Sequence, residues 1–194
     1  MRRLVLLLAV VLAAVSLYAD TGSAMKSMEK PFVSGGRIDI DLESGNYTIK
    51  PSDQNKIVVR WDDRESVQVT LDTTGNNARV RTVHTPHNSF SAEIEVPRTS
   101  DLHIRLTAGN LDVRAVRGNK DIESNAGNVD ITIGDPQDYG RVDASLWAGN
   151  IDATPFEKHK NGLFRSLDWH GKGQYRLHAH LLAGNLTLKG GTAD

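Results

Sequence analysis

Two histidines near the C-terminus form the clearest pattern for chemistry in this chain. His178 and His180 lie two residues apart in an alternating run, so in a β-strand both imidazoles would point to the same side. Imidazole nitrogens suit Zn²⁺ or Cu²⁺, and His103 or Asp143 on a neighbouring strand would supply a third ligand. The competing interpretation is an exposed strand of ordinary polar residues. We favour that interpretation and assign no metal ligand.

Recurring aspartates form a second candidate site. Six of them alternate with apolar residues and would share the polar side of the strands: Asp39, Asp41, Asp112, Asp130, Asp143 and Asp152. Carboxylates could bind Ca²⁺, but the sequence contains neither an EF-hand loop nor a glycine-aspartate nonapeptide repeat. Solvation of the strands explains these residues better, and we predict no cofactor.

Trp147 is the third candidate. It follows Leu146 in an alternating run, so it is expected on the outer side of a strand whose inner side is apolar. An exposed indole could stack on a sugar ring or anchor a protein partner. The competing interpretation, which we favour, is that a loop, or the non-alternating insertion at 155–172, covers it.

No arrangement of residues predicts catalysis. The serines lie outside any strand–turn–helix context that would expose a nucleophile, and the Asp62-Asp63 pair falls in a predicted turn. The glycines are followed by strands rather than by a helix N-terminus that could hold a phosphate. The chain has no cysteine, which excludes disulfides, thiolate metal ligands and a cysteine nucleophile. We therefore predict that the protein is not an enzyme.

A repeated tripeptide organises the strands that carry these residues. Ala-Gly-Asn lies between two alternating apolar runs at 108–110, 126–128, 148–150 and 183–185, and Ser44-Gly45-Asn46 is a further copy. Glycine adopts positive φ without steric cost, and asparagine tolerates such a conformation better than most residues. A helical period is sustained nowhere after the N-terminal segment, so we expect an all-β protein.

Two architectures fit the repeat. Each copy could be the corner of a parallel β-solenoid, in which successive coils stack, or the turn of a hairpin in an antiparallel β-sandwich. Gly109, Gly127 and Gly149 are separated by 18 and 22 residues, which suits solenoid coils. The local sequence allows both architectures. The longer interval from Gly149 to Gly184 contains the insertion at 155–172.

The chain resembles a bacterial family known as the "putative adhesin" domain. The resemblance rests on PFVSGGRIDI at 31–40, on EIEVPRTSDLHI at 93–104 and on the Ala-Gly-Asn repeats that follow. It spans about residues 32–189, nearly all of the chain after the N-terminal segment. It implies a right-handed β-helix-like roll, an extracytoplasmic location and an adhesin-like role without a known ligand. On this basis we prefer the β-solenoid to the antiparallel sandwich.

The N-terminus has the form of a secretory signal peptide. Residues 1–19 combine Arg2 and Arg3 with an uncharged apolar stretch that ends in small residues, and its short length favours cleavage over a membrane anchor. Residues 20–31 are expected to be a flexible leader, and 32–190 to be one adhesin-like domain that contains the insertion. We therefore predict export to the periplasm or the extracellular space.

Charge and composition limit the partners. The chain has 23 basic and 24 acidic residues, so no basic excess is available for nucleic acid. We predict a non-enzymatic exported protein that presents a polar strand face to the cell envelope or another surface. The alternative is a periplasmic carbohydrate- or metal-binding protein that uses the face of Trp147, His178 and His180. The expected partner is a protein or glycan, membrane contact would need an uncleaved signal, and open ends of the repeat would favour a homodimer.

Overall fold

The computed structural model describes residues 25–63, 66–86 and 90–191. The predicted signal peptide and residues 20–24 of the predicted leader lie outside these ranges. The described chain is all-β, with eleven strands in one mixed sheet and two short 3₁₀ helices at Pro136–Asp138 and Thr154–Phe156. None of its helices is long and apolar enough to cross a membrane.

The strands follow one another with short connections. In chain order they are β1 (Met25–Pro31), β2 (Arg37–Ser52), β3 (Lys56–Asp62), β4 (Gln68–Thr74), β5 (Asn77–Val83), β6 (Ser91–Pro97), β7 (Asp101–Arg114), β8 (Lys120–Gly134), β9 (Tyr139–Ala153), β10 (Lys158–His170) and β11 (Tyr175–Gly190). The prediction of an all-β protein is therefore confirmed for the residues that the structure describes.

Five long parallel strands form the centre of the sheet. They lie side by side in the order β2, β7, β8, β11 and β9. Their register brings the repeats to the same height, so that one row across the sheet contains Gly45, Gly109, Gly127, Gly184 and Gly149. The tripeptide thus marks one position in each of the five strands.

The predicted β-solenoid is contradicted by the order and direction of the strands. Successive solenoid coils would stack in chain order, but β11 lies between β8 and β9. The pairs β1–β3, β3–β6, β4–β5 and β9–β10 are antiparallel, so the sheet is mixed. The hairpin alternative also differs from the structure, because each Ala-Gly-Asn lies inside one continuous strand rather than at a turn. Spacing in the sequence could not reveal which repeats become neighbours.

Each long strand bends at its glycine. In β7, Leu106 and Leu111 are both buried, so the alternation shifts by one residue at Gly109, whose φ is +114°. A straight strand of this length would span roughly 45 Å, whereas the five-residue link at 115–119 reaches about 20 Å. Because β7 and β8 are parallel, that link can join them only if the strand folds back on itself. We call the segments before and after the glycine the first and second arms.

The hydrophobic core lies between the two arms. Inward side chains from neighbouring strands form rows across the sheet, and one such row contains Ile40, Ile104, Ile122, Ala179 and Ala144, all buried. Inward positions are therefore mainly apolar along each strand, and matching inward positions of neighbouring strands pack in the same row.

Two segments that looked irregular in the sequence extend the sheet at its edges. Met25–Pro31, expected in the flexible leader, instead form β1 and pair with β3. The insertion at 155–172 contains most of the second 3₁₀ helix and all of β10, which pairs antiparallel with β9. Phe156 is buried against Trp169, with ring centroids 4.6 Å apart, and closes this end of the core.

Lys120 is a charged residue at an inward position. It shares its row with Leu102 and Leu177 and is 2% exposed. Its ammonium donates hydrogen bonds to the Tyr139 hydroxyl at 2.8 Å and to the Gly118 carbonyl oxygen at 3.2 Å. Burial lowers the pKa of Lys120 to about 8 and raises the pKa of Tyr139, because both charged forms lose contact with water.

The glycine row predicts a specific loss of stability. In Gly127→Ala the new Cβ would lie 1.7 Å from the Gly109 carbonyl oxygen, at a φ of +121°. We expect the free energy of unfolding to fall by at least about 3 kcal/mol, because backbone atoms must move. Gly75→Ala is the control, since φ there is +60° and nothing lies within 4 Å of the new Cβ. It should cost about 1 kcal/mol. Equal losses in urea unfolding would contradict the close approach of the strands.

Lys120 predicts a pH dependence of stability. The folded protein releases the Lys120 proton near pH 8 and the unfolded chain near the ordinary value of 10.5, so the unfolded state binds more protons between these values. Wild type should therefore gain stability relative to Lys120→Met as the pH rises through this window, by about 3 kcal/mol in total. Urea unfolding of both proteins at neutral pH and near pH 10 measures the change. A difference between them that is independent of pH would contradict a buried Lys120.

Candidate interaction surface

The outer sides of the first arms form one continuous polar surface. Two residues from each of the five central strands contribute to it: Asp39, Asp41, His103, Arg105, Asp121, Glu123, His178, His180, Asp143 and Ser145. We call this set the polar face. It contains five carboxylates and one arginine, and three of the carboxylates, Asp39, Asp41 and Asp143, also pair with Arg37, Arg81 and Arg141 at its border.

Contacts between neighbouring strands hold the histidines of the polar face in place. His103 Nδ1 lies 2.9 Å from Asp121 Oδ2, and Arg105 Nη2 donates to His103 Nε2 at 2.9 Å. Because Nε2 accepts from Arg105, Nδ1 carries the hydrogen that is donated to Asp121. His178 Nδ1 contacts Asp143 Oδ1 on the next strand. The surface is therefore built from paired side chains rather than from independent ones.

The structure brings His178 and His180 together as the sequence predicts, but not around a metal-sized site. Both point outward from β11, where His178 contacts Asp143 and His180 Nδ1 lies 2.7 Å from the Ser145 hydroxyl. His103 lies two strands away from His178, with Asp121 between them. Across the described ranges, no group of three histidine and carboxylate side chains could hold a metal ion. The geometry favours cross-strand pairing as the role of these histidines.

Trp147 lies at the border of the polar face and is exposed, which confirms the orientation that alternation predicts. Its side chain is 55% exposed, and β10 lies beside it without covering it, so the expectation that the insertion covers Trp147 is wrong. Phe164 of β10 contacts it edge to face, with ring centroids 5.9 Å apart. Leu182 occupies the matching position on β11, and Leu163 precedes Phe164. These four exposed side chains form a patch that we call the apolar corner.

Three members of the apolar corner were not identified from the sequence. Leu182 has the same parity as His178 and His180, so its outward orientation could have been deduced from the same alternation. Leu163 and Phe164 lie in the non-alternating insertion, where parity gives no information. Their position beside Trp147 depends on the pairing of β10 with β9.

The asparagines of the repeat form a hydrogen-bonded ladder across the second arms. Asn110 Nδ2 donates to Asn46 Oδ1 at 2.8 Å, Asn128 to Asn110 at 3.0 Å, and Asn185 to Asn128 at 2.7 Å. The ladder borders a groove of about 640 Å³. Three of the candidate aspartates also line this groove: Asp112, Asp130 and Asp152. Repetition of asparagine thus has a structural cause at four of the five copies, where the side chain bonds to a neighbouring strand at the bend.

Structural comparison identifies proteins with similar architecture. A crystal structure of a putative cell adhesion protein from Clostridium sporogenes matches 87% of this chain and 100% of its own, at 11% sequence identity and a TM-score of 0.56. Putative adhesins from Parabacteroides merdae and Bacteroides fragilis match at 12% identity with TM-scores of 0.31 and 0.33. These matches cover 89% and 85% of this chain, and 91% and 97% of the respective neighbours. The first match shows a shared fold, whereas the other two superpose too poorly to do so.

Sequence comparison adds no further relatives. No family model and no curated protein sequence matches the chain. The predicted resemblance to adhesin-like proteins is therefore confirmed at the level of the fold, whereas the β-helix detail is not. The neighbour that shares the fold is named for cell adhesion.

The asparagine ladder predicts graded losses of stability. Asn128 takes part in two ladder hydrogen bonds and Asn46 in one. Asn128→Ala should lower the free energy of unfolding by about 1–2 kcal/mol, and Asn46→Ala by about half as much. Thermal and urea unfolding of the two variants provide the comparison. Two variants as stable as the wild type would show that the ladder does not contribute to stability.

Proposed function

We propose that this protein is a non-enzymatic, exported surface-interaction protein that binds its partner at the cell envelope through the polar face. The observation that carries the proposal is the continuous surface of ten polar side chains on five parallel strands. Its side chains are held by cross-strand contacts, so little conformational entropy would be lost on binding. The shared fold with a putative cell adhesion protein supports the same role.

The charge of the polar face indicates the chemistry of its partner. Asp41 and Glu123 flank Arg105 on neighbouring strands, and Arg105 contacts both, at 3.4 Å and 3.9 Å. The carboxylates of this surface could exchange these arginine contacts for cationic groups on a protein or an amino sugar. Such attraction weakens as ionic strength rises, because exposed charges are screened by salt.

Carbohydrate binding at Trp147 is the second candidate function. It is supported by the exposed indole on the same side of the sheet as His178 and His180. The metal-binding form of this alternative has less support, since the described residues supply no third ligand. Binding to a glycan array that disappears in Trp147→Ala would favour this candidate over the polar face.

Export is the part of the proposal that rests on the N-terminal segment. Residues 1–19 have the composition of a signal peptide, and the adhesion name of the structural neighbour supports a surface location. N-terminal sequencing of the protein recovered from its bacterium would identify the cleavage site. An intact Met1 on the mature protein would contradict cleavage.

The carboxylates of the polar face predict how binding should change. We expect the chain from residue 20 onward, which retains all eleven strands and the core, to sediment with cell envelopes of the source bacterium. The double variant Asp41→Asn/Glu123→Gln should bind at least about fivefold more weakly, because two charged contacts are lost. Raised salt should weaken the binding of wild type more than that of the variant.

A matched control separates the polar face from general surface charge. Asp53→Asn removes a carboxylate that is 81% exposed and pairs with Arg98, away from the polar face. It should bind envelopes as wild type does. The proposal fails if wild type does not sediment with envelopes, or if the double variant and the control bind equally well.

A further inference from the structure

The groove beside the asparagine ladder is lined by two parallel rows of polar side chains. One row is the asparagine of each of the five repeat copies. The second row lies two residues further along each strand, so it points to the same side of the sheet as the asparagines. We call this groove of about 640 Å³ the asparagine groove. The members of its second row are, in spatial order, Thr48, Asp112, Asp130, Thr187 and Asp152.

The asparagine row retains hydrogen-bonding groups that the ladder does not use. An asparagine amide has two N–H donors and two lone pairs on its oxygen. Asn128 uses one of each, since it donates to Asn110 and accepts from Asn185. The side chain of Asn150 has no hydrogen-bond partner within the part of the chain that the structure describes. The row therefore offers donors and acceptors to a ligand, and the ladder holds four of its five amides in place.

Two of the three carboxylates in the second row are held by cations that lie outside the groove. Asp112 accepts a hydrogen bond from Arg114 at 2.8 Å, and Asp130 accepts one from Lys189 at 3.0 Å. These cations offset the negative charge of the row and fix its side chains. A carboxylate that is paired once keeps free lone pairs, so it can also accept a hydrogen bond from a ligand.

The lining of the groove argues against several classes of ligand. Its apolar members, Tyr47, Leu111 and Leu186, are at most 2% exposed, so an apolar molecule would gain little contact. The carboxylates disfavour an anion, and the described side chains form no group that could hold a metal ion. A peptide strand cannot add to the sheet here, because all five strands are paired on both sides. Hydroxyl groups, which donate and accept, match the amides, the carboxylates and the threonines.

Repetition along the groove indicates a polymer. Neighbouring strands lie about 4.8 Å apart, so the five strands give the groove a length of about 19 Å. Both rows repeat at this spacing, and the same kinds of polar group recur from strand to strand. A single sugar ring would contact only part of this length. A linear chain of sugars that crosses the strands would meet similar groups at successive positions.

We propose that the asparagine groove binds a linear, uncharged polysaccharide that lies across the five central strands. Its hydroxyl groups accept hydrogen bonds from the free amide N–H groups and donate to the carboxylates of the second row. This site differs from the carbohydrate candidate at Trp147. Trp147 precedes the bend of β9 and Asn150 follows it, so the two lie on different arms.

Titration of the ¹⁵N-labelled chain from residue 20 onward tests the proposal, because asparagine side-chain amides give their own signals in nuclear magnetic resonance spectra. The probes are cellotetraose, maltotetraose and tetra-N-acetylchitotetraose, each compared with its monosaccharide. We expect at least one tetrasaccharide to shift the side-chain amide signals of Asn128 and Asn150. Its affinity should exceed that of its monosaccharide at least about tenfold, because several strands contribute hydrogen bonds.

Threonine variants locate the ligand without disturbing the ladder. Thr187→Val removes one hydroxyl from the second row and keeps a β-branched residue, so the melting temperature should not change. It should weaken tetrasaccharide binding about fivefold, and Thr48→Val/Thr187→Val at least about tenfold. Thr132→Val is the matched control. Thr132 points to the same side of the sheet but lies one row beyond the groove, so this variant should bind as wild type does.

The groove and the polar face are independent sites. The polar-face variant Asp41→Asn/Glu123→Gln should bind the tetrasaccharide as wild type does, even where its binding to envelopes is lost. Failure of envelope binding would therefore count against the polar face alone. Failure of tetrasaccharide binding would count against the groove alone.

Three results would overturn the proposal. The first is that none of the three tetrasaccharides shifts the asparagine amide signals. The second is equal binding by Thr48→Val/Thr187→Val and Thr132→Val. The third is tetrasaccharide binding that shifts the Trp147 indole signal and disappears in Trp147→Ala, which would assign the carbohydrate to the other arm.

Discussion

The close approach of backbones along the glycine row is the constraint on which the structure depends. A Cβ on Gly109 would lie 1.9 Å from the Gly45 carbonyl oxygen, and one on Gly184 would lie 1.7 Å from that of Gly127. Each carbonyl thus occupies the space where its neighbour would carry a side chain. Because the fit repeats from strand to strand, the five central strands share one register and bend at one height. The ladder of Asn46, Asn110, Asn128 and Asn185 reinforces that register across four of the five strands.

The fixed register determines the chemistry of the surface. Side chains alternate along a strand, so residues paired in register on neighbouring strands point to the same side of the sheet. Carboxylates therefore contact histidines on neighbouring strands. His178 reaches Asp143 because β11 lies beside β9, although 35 residues separate them in sequence. The same placement puts Leu182 next to Trp147, and the pairing of β10 with β9 adds Phe164. The polar face and the apolar corner both result from this one arrangement of strands.

Alternation in the sequence was enough to predict the all-β class and the outward side of Trp147. These features depend on local geometry, which a period of two residues records directly. The order of strands was not predictable, because the five repeats are nearly equivalent and any of them could be neighbours. The strand β10 was not predictable either, because its sequence does not alternate and it is a strand through its pairing with β9. Lys120 can be buried because Tyr139 and Gly118 accept its hydrogen bonds. The residues around Lys120 in the sequence do not predict these partners.

The position of β11 between β8 and β9 is the central claim about this molecule, because both interaction surfaces depend on it. Nuclear Overhauser effects between glycine α protons test it directly in solution. The structure predicts contacts from Gly184 to both Gly127 and Gly149, which are its neighbours in the row. Contacts between Gly127 and Gly149, with Gly184 beyond Gly149, would instead indicate strands stacked in chain order and would contradict this arrangement.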